Sequence, residues 1–365
     1  MTQGNPKLLT TYGWNRGLQH DFEPFAAQGL VPARVIVQHR SSYRLMTEAG
    51  ETEAKLSGRF HHDAPEGGHP AVGDWVAIEP AEGFALIQGL LPRRTAFMRK
   101  AAGTANEMQV AAANVDVALL TVSLNSNLNL RRLERYLAAT YESGASPVVV
   151  LTKADGCPDV AAAVAEVSKI AGDAPVIAVS AVSGLGLAAL AEHLEPRRTA
   201  VLLGSSGVGK STLVNALAGE ALMDTGAIRE DDERGRHTTT HRELILLPSG
   251  ALILDTPGMR ELGLIDAEAG VAAAFSGVEA EVDALARGCK FKDCGHGAEP
   301  GCEVRAALKD GRLDASRFEA WRKLQREIDH ERAKVDPQAR HAQQREWITR
   351  MKSARAHMKD KRRTE

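Results

Sequence analysis

Two hydrophobic periods divide the chain. From Arg34 to Ile87, five short runs rich in β-branched and aromatic residues (34–38, 43–46, 53–57, 74–78 and 84–87) are broken by turn signals such as Ala49-Gly50-Glu51 and Glu66-Gly67-Gly68. Five strands in so short a segment predict a small closed barrel of OB type. From Val115 the pattern changes to continuous apolar runs at 115–122, 147–151, 175–179 and 199–203, alternating with helical periods at 129–141, 159–171 and 187–194. That alternation predicts a mostly parallel sheet covered on both faces. Residues 101–114 are polar and read as a linker, and Met1 to Val31 is a polar lead-in to which the sequence assigns no role. Beyond it all, 259–286, 305–309, 315–331 and 338–361 read as helices, the last long and basic. The expectation is a multidomain α/β protein: an extension over 1–31, a barrel over 32–100, an α/β domain over 101–275 and a helical domain over 276–365.

The run Thr199 to Leu203 leads into Gly204-Ser205-Ser206-Gly207-Val208-Gly209-Lys210-Ser211, and Thr212 continues into a helical period. Strand, loop and helix match GxxxxGK(S/T), the phosphate-binding loop of nucleotide triphosphatases. Glycines 204, 207 and 209 let backbone N–H groups approach phosphate oxygens with no Cβ in the way. The helix N-terminus adds a positive dipole end. Lys210 is expected to reach the β- and γ-phosphates, and Ser211 to place its hydroxyl on Mg²⁺.

At the end of another strand stands Thr152-Lys153-Ala154-Asp155, a (N/T)KxD pattern. A carboxylate there accepts hydrogen bonds from N1–H and the 2-amino group of guanine, which adenine does not offer. Lys153 is expected to lie along the base and Thr152 to tie the loop to its neighbours. Ser180 and Ala181, again at a strand end, leave room for a backbone N–H to reach the guanine O6. Arg234-Gly235-Arg236-His237-Thr238-Thr239-Thr240 sits in a polar stretch, as a mobile switch would, and a threonine there, assigned as Thr238, is expected to ligand Mg²⁺. The strand 251–254 ends in Asp255-Thr256-Pro257-Gly258, a DxxG motif in which Asp255 holds Mg²⁺ and the Gly258 N–H meets the γ-phosphate. The base-reading motif precedes the phosphate loop, the reverse of the ordinary order. Because the ends of a sheet can lie close together, joining them and cutting elsewhere preserves the contacts. The chain therefore reads as a circularly permuted GTPase.

Ras-like enzymes carry a glutamine just after DxxG to orient the attacking water; here Met259 stands there. A thioether cannot orient water, so slow intrinsic turnover is expected. His237 is the nearest substitute, with Arg234 and Arg236 as further sources of charge or as contacts to RNA phosphates.

Net charge is −2, but from Arg340 onward nine basic residues face three acidic ones, a tail suited to a polyanion. In the barrel segment, Arg34, Arg40, Arg44, Lys55, Arg59 and His61 interleave with Tyr43, Phe60 and Trp75, a pattern suited to RNA. No apolar run approaches the roughly 18 residues of a membrane span, and the polar start does not read as a secretory signal, so a cytoplasmic protein is expected. Three of the four cysteines cluster with a histidine as Cys289, Cys294, His296 and Cys302, spaced C-x4-C-x-H-x5-C. Three thiolates and an imidazole complete a tetrahedron with no open position, which favours one structural Zn²⁺ over a catalytic one.

From Arg34 to Asp310 the chain resembles the RsgA or YjeQ family of circularly permuted GTPases that depend on the small ribosomal subunit. The resemblance rests on Gly73-Asp74-Trp75-Val76, Leu91-Pro92-Arg93-Arg94, Ala113-Asn114-Val115-Asp116, the permuted motifs, the switch at Gly235 to Thr240 and the cysteine cluster. It implies an N-terminal OB-fold, a central GTPase and a C-terminal zinc domain. It also implies hydrolysis of GTP to GDP stimulated by the small (30S) subunit with its 16S rRNA, late in that subunit's maturation, by a protein expected to be monomeric and free of membranes. The family's histidine at the matching position supports His237 as the residue that positions water. Two other readings are a GTP-controlled RNA-binding module whose hydrolysis is incidental, and a P-loop kinase or ATPase, against which Asp155 argues.

Overall fold

A computed structural model describes residues 7–39, 41–63, 68–100, 108–125, 128–223, 242–255, 268–297 and 299–335. From Lys7 onward the polar lead-in is structured. It forms α1 (Lys7–Thr11) and α2 (Arg16–Ala26), and Leu9, Tyr12, Leu18 and Phe22 are buried. Asn15 caps α2, its side-chain oxygen accepting from the N–H groups of Gly17 and Leu18 at 3.0 and 3.2 Å. Trp14 sets its ring edge-on to Trp75, the centroids 4.9 Å apart.

All five expected barrel strands are present: β1 (Val31–Gln38), β2 (Tyr43–Thr47) and β3 (Gly50–Leu56), then, after α3 (Gly58–Asp63), β4 (Trp75–Ala81) and β5 (Phe84–Leu90). Antiparallel pairs join β1 to β2, β2 to β3 and β4 to β5, while β3 runs parallel to β5. A further antiparallel pairing of β1 with β4 closes the ring. The expected linker is corrected: β6 (Ala96–Lys100) and β7 (Met108–Ala113) form an antiparallel hairpin with Phe97 and Val110 to Ala113 buried. Alanine has weak strand propensity, so the run Ala111-Ala112-Ala113 does not announce itself as a strand; burial decides it.

The α/β part follows as β8 (Val117–Ser123), α4 (Leu130–Ser143), β9 (Ser146–Thr152), a 3₁₀ turn (Ala154–Gly156), α5 (Val160–Ala171), β10 (Val176–Ala178), α6 (Leu187–Ala191), β11 (Thr199–Leu203), α7 (Lys210–Ala218), β12 (Arg242–Leu246) and β13 (Leu252–Asp255). Its strand order is β10-β9-β8-β11-β13-β12, parallel except for β12. Leu119, Val150, Leu202 and Ile253 of the sheet pack with Leu190, Leu213 and Val214 of the helices in one apolar layer. β12 then pairs antiparallel with β1 at Val37↔Glu243 and Gln38↔Arg242. Barrel and parallel sheet thus share one ladder of eleven strands among the described residues, within one compact unit, Met1–Gly263.

Burial revises the RNA-facing pattern expected of the barrel. Trp75 is 2% exposed and Tyr43 6%, so neither indole nor phenol can stack on a base, whereas Lys55, Arg59 and His61 are exposed. Arg34 is 2% exposed and points into the protein. Its guanidinium donates to the carbonyls of Tyr12, Gly73 and Asn114 and, at 2.8 Å, to the Thr199 hydroxyl, and lies over the Trp75 ring at 5.2 Å. One side chain therefore ties the N-terminal helices, the barrel and β11 together. Arg93 is likewise committed, forked onto the buried Asp74 carboxylate at 2.7 to 3.1 Å. Arg34→Met would leave those acceptors buried and unpaired, and we expect it to cost about 3 kcal/mol, read as a lowered urea midpoint. A shift under about 0.5 kcal/mol, the size of an ordinary surface change, would refute the role given to Arg34.

The second unit, Leu264–Glu365, contains α8 (Glu268–Ala274), α9 (Ser276–Ala286), α10 (Glu303–Asp310) and α11 (Ala315–Val335). Val271, Phe275, Val278, Val282, Val304, Ala307, Phe318 and Ile328 are among its buried apolar residues. The helix expected at 338–361 lies outside the described residues. Among the described residues no helix is long and apolar enough to cross a membrane.

Candidate nucleotide site and metal cluster

The phosphate loop lies where β11 ends and α7 begins, against β8. A Cβ on Gly204 would stand 2.2 Å from the Thr121 hydroxyl oxygen and 2.6 Å from its carbonyl oxygen, so the loop can rest on β8 only with glycine there. Thr121 in turn donates its hydroxyl to the Leu203 carbonyl at 2.7 Å. Gly207 takes the left-handed conformation at φ 76°, which turns the chain toward α7. Lys210 is the first residue of α7, and its ammonium donates to the carbonyls of Gly204 and Ser205 at 2.9 and 2.8 Å. The charge is thereby held in the hollow of the loop, where phosphate oxygens would compete for it. Val208 is buried, Ser205 and Ser211 are half-buried, and Ser206 and Thr212 are exposed.

Base motif and phosphate loop are bonded to each other. Thr152, last in β9, donates its hydroxyl to the Val208 carbonyl at 2.5 Å, and Lys153 donates to the Gly207 carbonyl at 2.8 Å. Lys153 adopts a left-handed backbone, φ 59°, that turns the chain into the 3₁₀ segment carrying the exposed Asp155. The Ala154 N–H donates to Val179 O at 3.1 Å, which joins this turn to the stretch holding Ser180 and Ala181. Ser180 is buried; its N–H donates to Leu185 O and its hydroxyl accepts from the Ser183 N–H at 3.1 Å. Asp255 ends β13, the parallel neighbour of β11. His237, Thr238, Gly258 and Met259 lie outside the described residues.

Two residues here carry no motif signal. Thr121 looks like any strand threonine, and Arg132 like any helix-surface arginine. Yet the Arg132 guanidinium donates to the Ser205 hydroxyl at 3.1 Å. The link is long-range, and no local pattern encodes it.

In the second unit, ligand atoms of Cys289, Cys294, His296 and Cys302 all lie within 4.8 Å of one another. The His296 Nδ1 is 3.7 Å from the Cys289 sulfur and 3.6 Å from that of Cys302, and the two sulfurs are 3.9 Å apart. Zinc–sulfur bonds of about 2.3 Å imply tetrahedral edges of roughly 3.8 Å, so the donor set and its spacing fit zinc. Cys302 precedes α10 as its N-cap residue. Burial raises the Cys289 thiol, but the N–H groups of Glu303 and Val304 with the neighbouring thiols outweigh it and bring it below its ordinary value. Burial, with the adjoining sulfurs, pushes Cys294 up to about 11. Burial and then the Arg322 charge lower His296, favouring the neutral imidazole that ligates metal. The outer shell is built as well. Arg322 donates to the carbonyls of His296 and Gly295 at 3.2 and 3.3 Å, and Glu299 accepts from the N–H groups of Gly297 and Gly295 at 2.6 and 3.3 Å. Its own N–H and those two hold the Glu299 carboxyl below its usual range.

Comparison with known proteins agrees with this geometry. The family model of the RsgA GTPase matches residues 90–265. A protein of Opitutus terrae named small ribosomal subunit biogenesis GTPase RsgA is 48% identical, over 93% of this chain and 95% of its own. One of the same name from Streptomyces coelicolor is 45% identical over 99% of this chain and 98% of its own. The crystal structure of YjeQ from Thermotoga maritima, 26% identical, superposes with a TM-score of 0.57 over 82% of this chain and 98% of that one. With base motif ahead of phosphate loop on a shared parallel sheet, and with this likeness along nearly its whole length, the chain belongs to the RsgA GTPase family.

Proposed function

We propose that this GTPase hydrolyses GTP to GDP and phosphate when engaged by the small ribosomal subunit, and that it acts in late maturation of the 30S particle. The observation that carries the nucleotide-binding reading is the pair of bonds from Thr152 and Lys153 to the carbonyls of Val208 and Gly207. They hold the (N/T)KxD turn against the phosphate loop, which supports one nucleotide being met by both. Asp155 reads the base, with Ser180 and Ala181 at the O6 edge. Gly204 to Thr212 and Gly258 hold the phosphates. Ser211, Thr238 and Asp255 would hold Mg²⁺, which neutralises charge on the β- and γ-oxygens when bound. His237 positions the attacking water in place of the glutamine that Met259 displaces, and Lys210 steadies the developing phosphate charge.

The ribosomal part of the reading is supported by the names of the relatives. The exposed Lys55, Arg59 and His61 and the basic segment beyond Arg340 supply charge suited to 16S rRNA. The Cys3His cluster would hold one structural Zn²⁺. A monomer working in the cytoplasm, off the membrane, completes the proposal.

The test is GTP turnover by the purified chain alone and with small subunits, large subunits or duplex RNA added. We expect unstimulated turnover of the order of 10⁻⁴ s⁻¹, as in intrinsic Ras hydrolysis, and a rise of at least about 10²-fold specific to small subunits. Equal turnover under all four conditions would leave a GTPase with no ribosomal trigger. A rise with duplex RNA as large as with the subunit would favour the RNA-binding module.

A further inference from the structure

We propose that Arg132 is an arginine supplied in cis to the phosphate end of the nucleotide, where it stabilises the charge that develops during GTP hydrolysis. The proposal rests on the GTPase assignment and concerns a residue that no motif of the sequence singles out.

Arg132 sits in the first turn of α4. Asn129 accepts from its backbone N–H through both its side chain, at 3.0 Å, and its carbonyl, at 3.1 Å, which fixes the start of the helix. Leu133, Tyr136 and Leu137 are buried and anchor the helix, while Arg132 is exposed. The helix base is thus rigid and the guanidinium is free to change partner. Its present partner is informative. The Ser205 hydroxyl accepts from Arg132 at 3.1 Å while the Ser205 carbonyl accepts from Lys210 at 2.8 Å. Two cations converge on one loop residue. Like charges brought together repel, and the arrangement becomes favourable where a polyanion lies between them. Since the ammonium of a phosphate-loop lysine serves the β- and γ-phosphates, a guanidinium bonded to the same loop residue is within reach of the phosphate end of a bound nucleotide.

The chemistry has need of it. In hydrolysis the water oxygen bonds to the γ-phosphorus as the bond to the β–γ bridging oxygen breaks. The electron pair leaves with GDP, and the water proton passes to the released phosphate. Charge grows on the bridging and γ-oxygens, and a planar fork of N–H donors is well shaped to meet it. Arg132 adds a positive charge from a fixed helix, independent of the switch.

The experiment compares wild type, Arg132→Ala and Arg132→Lys in the full chain. It measures binding of fluorescent GDP and GTP analogues, single-turnover hydrolysis with and without small subunits, and capture of GDP with aluminium fluoride as a mimic of the transferring phosphate. For Arg132→Ala we expect subunit-stimulated hydrolysis to fall about 10²-fold and aluminium fluoride capture to be lost, while GDP affinity changes by less than about threefold. Arg132→Lys keeps charge without the fork, and recovery of about tenfold over alanine is expected. Unchanged hydrolysis in Arg132→Ala would overturn the proposal. So would equal loss of GDP and GTP affinity with an unchanged rate at saturation, which would make Arg132 a mere support of the loop. If wild type itself bound adenine nucleotides as well as guanine ones, the underlying GTPase reading would fail instead.

Discussion

Asp155→Asn is expected to weaken GTP binding by about 10²-fold and to let xanthosine triphosphate compete in its place. In the proposed site the carboxylate would accept from both N1–H and the 2-amino group of guanine, whereas the amide would keep one acceptor but set an NH₂ against the other donor. A mismatched, desolvated donor costs about 1–3 kcal/mol. Xanthine carries a carbonyl at position 2, which the amide NH₂ can satisfy, so the preference inverts. The frame around the residue should persist. Lys153 and Ala154 are held by Gly207 and Val179, and Asp155 itself is exposed, so stability is expected to stay within about 0.5 kcal/mol of wild type. Competition of the two triphosphates against a fluorescent GDP analogue measures the effect. A variant that still prefers GTP by the wild-type margin would show that another group reads the base.

Removing the metal should have an effect on the fold rather than on nucleotide recognition. Structural zinc contributes roughly 10–16 kcal/mol of apparent free energy in small domains, as much as the whole stability of an ordinary domain. The cluster joins the segment after α9 to the start of α10, with Arg322 of α11 bonded to the intervening loop. We therefore expect Cys302→Ala, or a strong chelator, to release the metal and to open 287–302 to protease, with loss of helical signal from the second unit. GDP binding, whose proposed residues lie in the first unit, should be retained. Metal analysis beside limited proteolysis gives the answer. Protein stripped of metal yet equally resistant would mean that the cluster is not a staple.

The strands, the permuted order and the two sites differ in how legible they were. The phosphate loop, the Thr152 to Asp155 motif and the Cys289 to Cys302 spacing work through residues a few positions apart, so their chemistry is local and survives in the letters. The five barrel runs announced themselves by β-branched composition. His237 and Thr238 were legible as candidates on the same ground, although they lie outside the described residues.

Other features depended on what the chain folds against. Arg34 reads as a surface cation, and only the carbonyls gathered around it from Tyr12, Gly73 and Asn114 make it a buried tie. Arginine, tyrosine and tryptophan are amphipathic, so their burial is set by their cover and not by their identity. Arg132 acquires its meaning from a serine 73 positions away. The joining of β1 to β12 is made by backbone N–H and C=O groups, which every residue but proline carries alike. The loops suited to phosphate, guanine and metal can be read from the letters, because those tasks require particular side chains at short spacing. Which cations face inward, which helices cover the barrel and where barrel and parallel sheet join become visible in the folded chain alone, because those outcomes follow from burial and from backbone pairing between distant segments.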